Sequence, residues 1–442
     1  MKTTGIIAEY NPFHNGHLYQ MREARSRSGA DYVIAVMSPD FVQRGEPALL
    51  DKWVRARMAL EAGADLVLEL PVRSAAGSAE FFALGAVSML ASLGGVDALS
   101  FGYEKPGLSG AGRPFPDMGK AADILTDAAR FFSEEEPAQY VEELKRLLSE
   151  GRSFARARMD AYLKYTGSED PAGLLSSPNN ILAVEYLKAL MRENSTISAV
   201  PVPRVGAGYH DTALPGTLPA GSGDEIPRTD AGACDAGSAG AGRDRLRFRA
   251  FASASGIRAA VSEGRDVSAC MPSSAYALMS EELSQNRFAV PSDLNLLLHD
   301  ALVRNEDRLQ EYLDVSGDLA NRIRAMLGTY TGFEAFAAQL KTRQMTLTRI
   351  RRALLHILLE IRPGTSRASY ARVLGFRRSA QPLLHAISER ASVPLITKLP
   401  SEDALPDGLR EDLRATRIWE MIVCAKTGRP VRSEYQRKLI IL

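Results

Sequence analysis

The stretch Glu9-Tyr10-Asn11-Pro12-Phe13-His14-Asn15-Gly16-His17 decides the reading of this chain. Before it, residues 4–9 form a short apolar run that ends in polar side chains, the pattern of a buried parallel strand. After it, residues 17–28 are helical in composition. With 6 His and 35 Gly in 442 residues, chance would produce about 0.006 copies of H-x-G-H, so the spacing carries information. Its place carries more, because ligands of open α/β sheets bind at the carboxyl ends of the strands. A helix N-terminus at that end offers free N–H groups and the positive end of a dipole to phosphate. Gly16 lets a nucleotide approach the backbone closely. Two imidazoles can donate to phosphate oxygens as charge builds on them, which makes His14 and His17 the candidate catalytic pair. They could also be polar helix-start residues or metal ligands. Two histidines alone make a poor zinc site, with no third ligand at suitable spacing nearby, so no protein-held metal is expected.

Working outward, strands are expected at 32–37, 65–70 and 98–101, with helices at 51–63 and 78–93 between them. That alternation predicts an α/β fold with a parallel, Rossmann-like sheet and right-handed crossovers. Residues 117–193 read as helices, including one that begins near Asn179, and 197–203 as a fifth strand. In 211–242, 17 of 32 residues are Gly, Ala or Pro, too few large apolar side chains to order a segment, so a disordered insertion is expected. From 257 onward the pattern is mostly helical, with 366–374 among the expected helices. Length predicts two domains: 1–265, binding nucleotide, and 266–442, an appended and mostly helical region.

Composition narrows the class. Hydrophobic residues are 45% and charged residues 24%, with a net charge of +1, which excludes fibrous and wholly disordered chains. Cys234, Cys270 and Cys424 are too scattered for a disulfide framework or a zinc ribbon and fit a reducing compartment. No apolar run is long enough to span a bilayer, and the N-terminus lacks a secretory pattern. A soluble cytoplasmic protein is expected, with neither membrane nor DNA as partner.

A second motif, Ser253-Ala254-Ser255-Gly256-Ile257-Arg258, places hydroxyls at a helix start and an Arg fork one turn later, a combination suited to triphosphate oxygens. It resembles the S-x-[ST]-x-I-R motif of the HIGH-type nucleotidyltransferase superfamily, to whose HxGH signature His14–His17 corresponds. The stretches GIIAEYNPFHNGH, FVQRGEPALLDKW, DLVLELP, SFGYE, SPNNILAVEYLKAL, VPRVGAGYHD and ARVLGFRRSAQPLL resemble, in order along nearly the whole chain, the bacterial tRNA(Met) cytidine acetate ligase family. That resemblance implies ATP as substrate, with Mg²⁺ carried by the nucleotide. It implies acetate activated to acetyl-adenylate, and elongator tRNA(Met) acetylated at N4 of its wobble cytidine. It also implies nucleotide contacts from Ile7, Ala8, Glu9, Tyr10, Asn11, Pro12, Phe13, His14, Asn15, Gly16, His17, Leu18, Tyr19 and Gln20. Gly102, Asn179, Arg204, Ser253, Ser255 and Arg258 complete the implied set. Pro39-Asp40 stand where that family usually has Gly-Asn, so a carboxylate is expected near the anion site.

Other residues read less sharply. Arg44 is either an anion ligand or the partner of Glu46 in a turn. Lys52 reads as a solvated lysine, and Asn179 as a helix N-cap. Residues 341–380 hold ten Lys/Arg against the single acid Glu360, a local asymmetry expected to face RNA phosphates. The alternatives to the ligase are a nucleotidyltransferase that forms a dinucleotide cofactor and a non-catalytic nucleotide- or RNA-binding protein.

Overall fold

A computed structural model describes residues 1–104, 118–168, 170–204, 250–406 and 408–442. The expected insertion at 211–242 lies outside the described residues. In the first half the chain runs through β1 (Thr3–Ala8), α1 (Asn15–Ser28), β2 (Tyr32–Met37), β3 (Phe41–Val42), β4 (Glu46–Pro47), α2 (Lys52–Ala62), β5 (Leu66–Glu69), α3 (Val72–Ala75), α4 (Ala79–Ser92) and β6 (Ala98–Tyr103). Four helices follow, α5 (Met118–Phe131), α6 (Ala138–Ser149), α7 (Phe154–Thr166) and α8 (Pro178–Arg192), and then β7 (Ser198–Pro203). The second half is α9 (Ala254–Ser262), α10 (Ser273–Ser284), α11 (Asn295–Arg304), α12 (Gly317–Met326), α13 (Phe333–Leu340), α14 (Leu347–Leu359), β8 (Ala371–Phe376), α15 (Gln381–Arg390), β9 (Leu395–Ile396), α16 (Leu409–Thr427) and β10 (Ile440–Ile441).

The central sheet has the order β10-β8-β5-β2-β1-β6-β7, with β9 added beside β8. Among the described residues every pairing of this sheet is parallel except β5 with β8. From β1 the chain builds outward one way through β2 and β5, then returns to place β6 and β7 on the other side. A topological switch point therefore lies between β1 and β6, where crossovers diverge and leave a crevice at the strands' carboxyl ends.

β1 is buried throughout, and strand residues such as Ile34, Val36, Leu66 and Leu68 pack against Phe82, Val87 and Leu90 of α4. The other face, through Ile6, Val33, Ala35 and Val67, meets α1, α2, α9 and α10. Each such fully buried Leu, Ile or Val contributes about 1.5–3 kcal/mol. A third cluster, built from α11, α12, α13, α14 and α16, reaches the first half through Phe41, Val72 and Ala76.

The stretch 366–374, expected as a helix, contains the start of β8, which is the antiparallel strand of the sheet. Arg372, the second residue of β8, hides the strand pattern, and its charge is tolerated because acids from β5 and the C-terminal segment meet it. The hairpin β3–β4 also escaped the sequence pattern, being two residues on each side. No helix among the described residues is long and apolar enough to cross a membrane.

Candidate nucleotide site

A pocket lies at the switch point. It is lined by Ile7 and Ala8 at the end of β1, His14, Gly16, His17, Tyr19 and Gln20 of the loop and α1, Phe101 and Gly102 of β6, and Val202, Pro203 and Arg204 at the end of β7. Asn179, Leu182 and Tyr186 of α8 and Phe251 and Ala252 ahead of α9 close it.

Two backbone contacts set the chemistry of the histidines. His14 is the N-cap of α1, and Gly16 N–H donates to its Nδ1 at 3.0 Å. The His14 N–H donates in turn to His17 Nδ1 at 3.2 Å. With both Nδ1 atoms accepting, the proton of each neutral ring resides on Nε2, so each imidazole keeps an N–H donor. The rings stack with centroids 3.7 Å apart. Burial, and then the charge of Arg204, pulls the His14 pKa down to about 3. Burial, then His14, then Arg204 lowers that of His17 well below the ordinary histidine value. At neutral pH the pair is therefore two uncharged donors. Gly16 is required by this cap, because a Cβ there would lie 2.8 Å from His14 Cε1.

The rest of the loop is a mount for the pair. Tyr10 and Phe13 are buried and pack against His17, with ring centroids at 4.9 and 5.5 Å. Asn11 Oδ1 accepts from Leu49 N–H at 2.8 Å. Asn15 Nδ2 donates to the carbonyls of Ala250 and Ala269 at 2.8 and 2.9 Å, tying the start of α1 to the approach of α9. Arg55, fully buried, donates to the carbonyls of Glu9 (2.7 Å), Ser38 (2.9 Å) and Leu50 (2.9 Å), joining the two rim loops.

A profile of the HIGH nucleotidyl transferase family matches residues 1–226 and 238–433. The tRNA(Met) cytidine acetate ligase of Acetivibrio thermocellus is 34% identical over the whole of both chains. That of Caldicellulosiruptor saccharolyticus is 38% identical over 91% of this chain and 88% of its own. The chain belongs to the tRNA(Met) cytidine acetate ligase family, within the HIGH nucleotidyl transferases. Solved structures of Thermotoga maritima TmcAL superpose along the full length of both chains: the apo form with TM-score 0.83 at 29% identity, and a form bound with alpha-thio ATP with TM-score 0.80 at 28% identity.

Of the residues that the family resemblance implies, Ile7, Ala8, His14, Gly16, His17, Tyr19, Gln20, Gly102, Asn179 and Arg204 line the pocket together. Glu9, Tyr10, Asn11, Pro12, Phe13, Asn15 and Leu18 stand behind it in the mount. Ser253 caps α9, accepting from Gly256 N–H at 3.0 Å, and Ser255 lies in that helix's first turn. Arg258 does not line the pocket: its guanidinium bonds Asn11 O at 2.8 Å and pairs with Glu46 at 2.6 Å. Glu46 thus serves Arg258. Asn179 is not the helix cap, since Ser177 takes that role by accepting from Asn180 N–H. Asn179 Nδ2 instead bonds the Glu104 carboxylate.

Lys52, expected in solvent, is fully buried, with Nζ 2.6 Å from Glu69 and 3.0 Å from Glu434. Asp40, expected beside the anion site, turns inward. It accepts from Lys52 N–H at 2.8 Å and from the Thr416 hydroxyl at 2.9 Å. Phe101, Leu182, Tyr186 and Phe251 were missed as pocket residues. Their signal in the sequence is position alone: Phe101 precedes Gly102, Phe251 stands two residues before Ser253, and Leu182 and Tyr186 follow Asn179 by about one and two helical turns. Among the described residues no group of three or more His, Cys, Asp or Glu could hold a metal.

Proposed function

We propose that this chain uses ATP to convert acetate to acetyl-adenylate and then acetylates N4 of the wobble cytidine of elongator tRNA(Met). The observation that carries the reading is the pair of stacked, neutral imidazoles held by backbone N–H groups at the mouth of a switch-point crevice. Membership in the ligase family supports the reaction, and the alpha-thio ATP in the Thermotoga relative supports a nucleotide as occupant.

An acetate oxygen attacks the α-phosphorus in line, the bond to the bridging oxygen of the β-phosphate breaks, and pyrophosphate leaves. The cytidine amine then attacks the acetyl carbon, the carbon–oxygen bond of the mixed anhydride breaks, and AMP departs as the amine loses its proton. Neither step needs a protein nucleophile, so catalysis is positioning and charge stabilisation. We assign the Nε2–H groups of His14 and His17 to the phosphate oxygens as charge develops there. Arg204 supplies a cation at the same wall. Ile7, Leu182, Tyr186 and Val202 offer apolar surface for the base, and Gly102 leaves room for it. The start of α9, with Ser253 and Ser255, and Arg258 once released from Glu46, are assigned to the leaving pyrophosphate. Mg²⁺ is assigned to the triphosphate itself. Residues 1–265 would carry the nucleotide chemistry and 266–442 the handling of RNA, in a cytoplasmic enzyme.

Incubation with ATP, labelled acetate and tRNA tests the whole reading. We expect His14→Ala and His17→Ala each to lower acetate-dependent pyrophosphate release by about 10²–10³-fold with the melting temperature retained. Full activity in both variants would reject the site. Absence of labelled tRNA with the intact protein would reject the reaction.

A further inference from the structure

The sequence draws attention to the ten cations of residues 341–380, but the fold has used much of that charge. Arg372 is buried between Glu69 and Glu434. Arg377 bonds the carbonyl of Leu60 at 2.7 Å, Arg351 pairs with Glu334, and Arg352 faces Asp314 at 3.7 Å. Even the backbone of Arg351 and Arg352 is engaged, because Gly45, at φ 74, sits so near that a Cβ would lie 2.5 Å from Arg352 N. Exposed Arg362 and Arg367 pair with Glu311 and Glu193.

Lys341, Arg343, Arg349 and Arg378 of that stretch form no ion pair among the described residues, and a second set of cations is gathered in a groove. A groove of about 980 Å³ runs between the first turn of α2, the end of α10, α16 and the segment after it. Its lining holds five cations, Arg287, Lys426, Arg429, Arg432 and Arg437, against Asp51 and Glu282. Both acids are already answered: Arg437 pairs with Asp51 at 3.4 Å and Arg287 with Glu282 at 2.6 Å. Lys426 is held by Asp293 at 2.7 Å. Arg429 and Arg432 are exposed and form no ion pair among the described residues. The one acid of the segment 426–438, Glu434, points inward to Lys52 and Arg372.

Position adds to charge. Leu49 lies behind both sites: its N–H donates to Asn11 of the HxGH mount, and its carbonyl accepts at 3.0 Å from the N–H of Ala289, two residues beyond Arg287 of the groove. The Trp419 indole, which lines the groove, donates to Ala48 O at 2.8 Å. Residues 48 and 49 thus tie the mount of the nucleotide pocket to one wall residue of the groove.

We infer that this groove docks the phosphate backbone of the acceptor RNA, with Arg429 and Arg432 as its free phosphate ligands. The inference rests on the reading that tRNA receives the acetyl group. The test is the full chain carrying Arg429→Glu and Arg432→Glu, compared with the intact protein for tRNA(Met) binding over a salt series, acetyl transfer, and acetate-dependent pyrophosphate release. We expect at least tenfold weaker binding and a slope of log affinity against log salt reduced by about 1.4–1.8, two contacts' worth. Pyrophosphate release and the melting temperature should stay at the level of the intact protein. A second variant, Arg362→Gln with Arg367→Gln, should bind tRNA as the intact protein does. Unchanged affinity and slope in the Arg429/Arg432 variant, with transfer intact, would overturn the groove, leave the ligase reading standing, and give the surface to an acidic protein partner. If the intact protein neither binds nor acetylates tRNA, the reading of function fails and the groove's assignment fails with it.

Discussion

His14, buried, and His17, half-buried, lie beside the cation Arg204 and give up their charge, whereas Lys52 and Arg372 are buried among carboxylates and keep theirs. Burial opposes the charge of Lys52, but Glu434 and then Glu69 outweigh it and hold the ammonium's pKa above its ordinary value. Burial also acts against Glu434, yet Lys52 and Arg372 pull its carboxyl down to about 2. Asp412, in the same region, is pushed up to about 8 by burial and then by Glu69. The difference is the nearest neighbour. An ion taken from water loses several kcal/mol unless a counter-charge with good geometry replaces the solvent. Among the described residues no acid pairs with the imidazoles, so they become neutral donors, the form that suits phosphate binding. The ion cluster joins β5, α2, β8, α16 and the C-terminal segment, and acts as a structural clamp.

The largest test of that contrast is Arg372→Ala, which would leave Glu69 and Glu434 short of a partner. A loss of about 3–5 kcal/mol is expected from chemical unfolding, with adenylation and transfer falling together. Stability within 1 kcal/mol of the intact chain would show that water reaches the cluster and that the clamp is not one. The converse is expected at Gly16→Ala. The new methyl displaces the His14 ring from the Gly16 N–H, and pyrophosphate release should drop about 10²-fold, while the melting temperature moves by only a few degrees. Parallel loss of rate and stability would erase the distinction between site and clamp.

A smaller effect sharpens it through pH. The folded pKa of each site histidine lies below its unfolded value near 6.5, so the unfolded chain binds more protons as pH falls. Stability present above about pH 6.5 is then lost on acidification, for His14 down to about pH 3, at up to about 1.4 kcal/mol per pH unit for each histidine. Asp412 works in the opposite direction, since its raised folded pKa favours the native state as pH falls below 8. The comparison should therefore be made between the intact protein and His14→Asn with His17→Asn. Less destabilisation from pH 7 to pH 5 is expected in the variant, and equal losses would mean that the imidazoles take up protons in the fold as they do in the unfolded chain.

The site's signature was readable because its decisive bonds are local. The His14–Gly16 and His14–His17 contacts span two and three residues, so the H-x-G-H spacing is itself the geometry. The first five sheet strands were readable for a similar reason. Each is an apolar run bounded by turns, and the alternation with helices leaves few topologies. Gly102 and Arg204 were reached through family resemblance, because a strand end has no pattern of its own until another strand is laid beside it.

By itself the sequence determined the parallel core, the nucleotide loop at the end of β1 and the family's motifs, all of which depend on contacts within a few residues or on simple periodicity. Only the tertiary structure decided the strand character of β8, the burial of Lys52 and Asp40, and which cations meet a carboxylate. Lys52 meets Thr416 across 364 positions and Trp53 meets Glu434 across 381. A charged side chain is identical on paper whether water or a distant carboxylate surrounds it. Its role is fixed by the partner that the folded chain brings within about 3 Å, because that partner sets the cost of removing it from solvent.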